Sequence, residues 1–195
     1  MNTLKLIPLL LASLLATSAF AQTAATETQR DINQQQRIES GLKTGQLSTK
    51  EAAKLEREQA RVSRAEANAL KDGKLSAGEK AKITQLQDKA SNDIHAEKTD
   101  AQHGNPNSAS SLRMQADVQR NVNQQQRIKN GIKNDTLTNH EVAKLEQGQA
   151  KVDHREAAAG ANGHISAREQ RKIQHAENHQ SKKIHHEKTD DQTRG

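Results

Sequence analysis

Histidine is the side chain in this sequence whose spacing points most directly at chemistry. Seven of the nine histidines lie at or after His140. His175 and His179 stand four residues apart in a stretch with helical spacing, so both imidazoles project from one helix face. Such a pair chelates Zn, Cu or Ni, which favour imidazole nitrogen. His186 is nearly in register with them, three turns beyond His175, and His185 sits beside it. The axial rise puts His186 about 10 Å from His179. A third ligand would therefore come from a carboxylate or a second chain. The plain alternative is that these are polar surface residues standing where an earlier copy has Gln85, Lys89 and Ala96.

Other chemistries find less support. The chain has no cysteine, hence no disulfide and no thiolate ligand. Ser, His and Asp are plentiful, but no nucleophile elbow, HExxH or phosphate loop occurs. The reading is therefore non-enzymatic. Phe20 is the sole aromatic residue, and Val, Ile, Leu and Met total 24 over residues 22–195. So thin a supply of apolar side chains predicts slender bundles or long exposed helices, partly flexible. The formal charge is +6 and the mean hydropathy −1.03. Basic and acidic residues are interleaved, as on a solvated helix surface. Without a one-sided basic patch or stacking aromatics, nucleic acid is set aside as a partner.

The elements that would carry these residues come from a duplication. Residues 29–100 align with 119–190 without a gap, with 35 identities in 72 positions. Asn33-Gln34-Gln35-Gln36-Arg37-Ile38 returns as residues 123–128, and Ala53-Lys54-Leu55-Glu56 as 143–146. Inside each copy one phrase occurs twice: an aliphatic residue, Ser or Thr, two variable residues, then Glu. It begins at Leu47, Leu75, Leu137 and Ile165. Ser or Thr at the N-cap and Glu three residues on form a capping box, so each phrase starts a helix. Leu55, Val62 and Ala69 then share a face, as do Ile83, Leu86, Ala90 and Ile94. Helices are predicted near 28–43, 49–71 and 77–97, and near 118–133, 139–159 and 167–188. The fold class is all-α: two tandem copies of a three-helix unit, residues 22–101 and 118–195, joined by a flexible linker at 102–117. The Gly, Pro, Asn and Ser content of residues 103–111 marks that linker.

The same phrase resembles the second half of an EF-hand loop, most closely at Asp72-Gly73-Lys74-Leu75-Ser76…Glu79. That resemblance implies a calcium-like loop with Asn68, Asp72 and Glu79 at ligand positions. The third loop position never offers an oxygen ligand: it is Leu42, Leu70, Ile132 and Gly160. Calcium is therefore expected to bind these loops no more tightly than about millimolar. Ile165-Ser166-Ala167-Arg168-Glu169-Gln170 is similar to the LTxxQ motif of periplasmic stress and metal-stress proteins, with Glu where that motif has Gln. This second resemblance implies an exported, helical, dimeric protein, and in some members a histidine-bound metal.

The first residues add a compartment. Lys5, the apolar run Leu6–Leu15 and Ala19-Phe20-Ala21 read as a signal peptide over residues 1–21. A periplasmic or secreted protein is expected, with no stable membrane insertion after cleavage. The leading expectation is a low-affinity divalent or transition-metal-binding, stress-related accessory protein. The alternatives are a chaperone-like module that binds other periplasmic proteins, and an EF-hand-like fold without ion binding.

Overall fold

The computed structural model describes residues 12–192, with side chains from Thr23 onward; the expected signal segment lies outside the described side chains. The described chain is all-helical. Its elements are α1 (Ala12–Thr44), α2 (Thr49–Ala69), α3 (Ala77–Thr99), α4 (Ala109–Lys133), α5 (Asn139–Gly160) and α6 (Ala167–Thr189). No described helix is long and apolar enough to cross a membrane.

Each recurring phrase starts a helix for the reason given above. Ser48, Ser76, Thr138 and Ser166 are N-caps, each accepting from the amide of a Glu three residues on, whose carboxylate accepts from the cap's own amide. The chain enters each phrase through one residue of left-handed backbone: Gly45, Gly73, Asp135 and Gly163, with φ of 74°, 81°, 55° and 82°. Glycine accepts that conformation without penalty, and Asp is among the few other residues that tolerate it. Ser108 caps α4 by accepting from the Ser111 amide at 3.1 Å. The helix thereby takes in residues 109–117, which composition had placed in the linker. The remaining loop is anchored where the Gly104 amide donates to the Gly45 carbonyl at 2.9 Å.

The packing is thicker than two slender units would give. The most extensive helix pairings join the two copies, α2 with α5 and α1 with α4. One apolar cluster sets Leu70, Leu75 and Ile83 against Ile128, Ile132, Leu137, Leu145 and Ile184. The other sets Ile38, Leu42, Leu47, Leu55 and Ile94 against Met114, Val118, Ile165 and Ile173. In each, the end of a helix from one copy meets the start of its counterpart, so both inter-copy pairs run antiparallel. A Cβ at Gly160 would lie 2.8 Å from that of Ala53, which shows how closely α2 and α5 approach. Few large apolar residues suffice because each cluster pools those of both copies.

Between the two apolar ends the core is polar. The buried set of described residues includes thirteen carboxylates and ten carboxamides, and no Lys, Arg or His. Gln87 of α3 shows the consequence. It is fully buried while Leu86, expected on the apolar face, is only partly so. The Gln87 amide donates to the Glu27 carbonyl at 3.1 Å and to Asp31 Oδ1 at 2.8 Å.

Removing an exposed cap tests the helix assignments without disturbing this core. Ser76→Ala deletes the acceptor for the Glu79 amide, and a destabilisation of about 1 kcal/mol is expected by urea unfolding. An unchanged midpoint would mean that α3 does not start there.

Candidate functional site

Glu56 of α2 and Asp153 and Glu156 of α5 meet in the polar middle of the bundle. One ligand atom from each lies within 4.8 Å of the others, and all three residues are buried. Asp153 and Glu156 are one turn apart on the same helix face. Across from Asp153 stands Ser63, its counterpart in the first copy, whose Oγ donates to Asp153 Oδ2 at 3.4 Å.

Carboxamides orient the three acids. Gln35 Nε2 donates to Glu56 Oε2 at 3.0 Å, Asn121 Nδ2 to Glu156 Oε2 at 2.7 Å, and Gln149 Nε2 to Asp153 Oδ1 at 2.9 Å. Each acid thus spends one oxygen on an amide. Glu56 Oε1 and Glu156 Oε1 have no protein hydrogen-bond partner. Burial pushes both carboxyls well above the usual carboxylate range; Asp153 adds to the effect at Glu56, and Glu56 adds to it at Glu156. Asp153 is raised to about 7, by burial above all.

The acidic surroundings extend further. Burial lifts Asp117 to about 7 and Glu177 to about 8. Arg120 reaches Glu177 Oε2 at 3.0 Å from the bundle edge, the one ion pair among the described residues whose acid is fully buried. In the other half of the core, Asp31 is raised to about 6 and Glu146 to about 8, again chiefly by burial.

Two further acid groups gather within the same distance, Glu51 with Glu97 and Asp100, and their counterparts Glu141, Glu187 and Asp190. Glu51 and Glu141 serve capping boxes, and Lys54 and Lys144 pair with Glu97 and Glu187. These groups already have local roles and cationic neighbours.

His175 and His179 line one groove between α5 and α6, together with Lys144, Lys151, Arg155 and Lys183. The spacing argument holds for their shared face. The surrounding side chains are cations, which oppose a metal ion there. His185 and His186 are exposed beyond that groove, and none of the three metal-competent groups among the described residues includes a histidine. The calcium-like positions do not converge. Asn68 is exposed, Asp72 Oδ1 accepts from the Lys74 amide at 3.0 Å, and Glu79 Oε2 accepts from Ser76 N and Oγ at 2.9 and 2.6 Å.

Reading apolar spacing could not reveal the central acids, because they occupy interior positions that such a reading assigns to aliphatic residues. A signal was nonetheless present in the duplication. Gln34, Gln35, Glu56, Gln59 and Glu66 all return unchanged ninety residues on, and all five are buried. No family model, curated protein or solved structure matches the chain.

The raised carboxyls carry a pH signature. The folded protein holds protons that the unfolded chain releases near pH 4, and keeps them up to about pH 6–8. Stability therefore falls as pH rises through that window, since the native state then binds more protons than the unfolded one. Melting in a chelator should show a higher midpoint at about pH 5 than at about pH 8. A midpoint that rises over this range would contradict the buried-acid assignment.

Proposed function

We propose that this chain is an exported, non-enzymatic helical protein that takes up a hard divalent cation in its core, with Glu56, Asp153 and Glu156 as ligands. The observation that carries the reading is the convergence of three buried, amide-oriented carboxylates, two of which keep an unpartnered oxygen. Oxygen-only donors favour Mg, Ca or Mn over the softer ions that histidine selects. An ion with oxygens at 2.3–2.6 Å spans roughly 4.6–5.2 Å between opposite ligands, and the group's 4.8 Å limit is compatible with that span. A bound cation would replace the protons that hold these acids neutral, so uptake releases protons and strengthens with pH. Export rests on the signal-like residues 1–21. A role as a stress-related accessory protein that buffers or senses such an ion follows from compartment and composition.

A client-binding chaperone would need apolar surface to present. Among the described residues Leu112 is the sole exposed large hydrophobic side chain, which favours the cation reading over that one.

Calorimetry of the purified protein with Mg, Mn, Ca and Zn at neutral pH tests the proposal. Binding of an oxygen-preferring ion should raise the melting midpoint, with about 2.7 kcal/mol of stabilisation at a hundredfold excess over Kd. Asp153→Asn with Glu156→Gln should weaken uptake at least about tenfold while keeping the fold, because the amides are isosteres of carboxyls already held neutral by protons but cannot become anionic ligands. His175→Gln with His179→Lys should leave it unchanged. The reverse pattern, loss with the histidine pair and retention with the acid pair, would sink the core site.

A further inference from the structure

The groove holding His175 and His179 has a charge balance that its first-copy counterpart lacks. It encloses about 340 Å³ and is lined by Lys144, Lys151 and Arg155 from α5 and Lys183 from α6. A shallower depression continues from it through Arg155 and His175, bordered by Arg168, Arg171 and Lys172. The equivalent positions of the first copy are Lys54, Arg61, Ala65, Asp93, Gly78, Ala81 and Lys82, with Glu58 where the second copy has Gly148. Counting also Arg57 and Lys89, whose counterparts are Gln147 and His179, five cations and two anions have become seven cations and no anion. Where the first copy ties Lys89 to Glu58 at 2.9 Å and to Asp93, the second has His179, Gly148 and Lys183.

These cations are largely uncompensated. Among the described residues, Lys151, Arg155, Arg168, Arg171 and Lys172 form no ion pair. Two carboxylates border the surface. Glu187 pairs with Lys144 at 3.5 Å, and Glu169 is tied to Ser166 in the capping box. Lys183 is half-buried, its Nζ donating to the Lys144 carbonyl at 3.1 Å; burial lowers its ammonium below the usual lysine range, with Glu187 opposing and Lys144 and Lys151 adding to that shift. Like charges held this close favour an anion among them.

The shape narrows the ligand. The cations extend over residues 144–155 of α5 and 168–183 of α6, about 16 and 22 Å of helix. That is a track with two walls, longer than a single small anion needs and narrower than a flat membrane. No aromatic side chain is present to stack a base. We propose that this groove binds a linear phosphate polyanion along the α5–α6 seam, independently of the cation in the core.

Medium-chain inorganic polyphosphate is the probe, with binding to the purified protein followed by calorimetry across salt concentrations. With about five phosphates neutralised, affinity should fall on the order of 100-fold from about 50 to about 200 mM salt. Arg155→Ala with Arg171→Ala and Lys183→Ala should lower affinity at least about tenfold and flatten the salt dependence. Arg57→Ala with Arg61→Ala and Arg64→Ala removes the same charge from the first copy and should change affinity less than about twofold. Equal losses in the two triple variants would reduce the effect to net charge and overturn the groove. So would no binding at the lower salt, or groove-dependent binding to phosphatidylglycerol vesicles in preference to polyphosphate.

Discussion

Burying acids without burying bases is the constraint on which the rest of this structure depends. An isolated ionised carboxylate in a low-dielectric interior is too costly to persist, so the group takes up a proton, finds donors or binds a cation. Here the first two devices are visible. Carboxamides donate to the central acids at 2.7–3.0 Å, and burial raises the carboxyls toward neutrality. The third device is the one the geometry leaves open, at the place where two of the three converging acids keep a buried oxygen without a partner.

That constraint also explains how so few aliphatic residues support a fold. The apolar side chains are divided between two end clusters, and each draws on both copies. A single copy would own half of each cluster and half of the polar middle. Its Glu56 would lose the Asp153 and Glu156 that face it, and its Ile38 and Leu42 would lose Met114 and Val118. The duplication thus supplies a partner surface within one chain, much as a dimer interface would between two.

Much of the helical framework was legible in the sequence, because capping boxes are local. Ser48, Ser76, Thr138 and Ser166 each announce a helix start that needs no tertiary information; all six helices end close to where spacing places them, and the four that follow these caps also begin there. The tail of the linker that composition marks is helical, because Ser108 caps α4 without the terminal Glu that completes the phrase elsewhere. The site was harder to see. Asp153 and Glu56 are nearly a hundred residues apart, and nothing local in either segment says that α2 runs antiparallel to α5. Histidine spacing is legible because it is local; three of the four groove cations that alter its meaning, Lys144, Lys151 and Arg155, arrive from another helix.

The two halves of the polar core show how one duplication can yield unequal chemistry. Position 63 is Ser and its counterpart 153 is Asp, whereas position 31 is Asp and its counterpart 121 is Asn. The acid has in effect changed helices between the halves. On one side Asn121 is a donor to Glu156 Oε2, and Glu156 Oε1 has no partner. On the other, Asp31 is an acceptor, and Gln87 donates to it at 2.8 Å and reaches Glu66 Oε1 at 3.4 Å. The residue matching Gln87 is Glu177, which turns toward Arg120 instead. A bridging carboxamide joins Asp31 and Glu66 in one half, where each acid still keeps one unpartnered oxygen; its counterpart in the other half is an acid. The cation proposed for the core belongs to that second half because Asp153 supplies a third acid beside Glu56 and Glu156, where the symmetry-related position has Ser63 with Glu146 and Glu66.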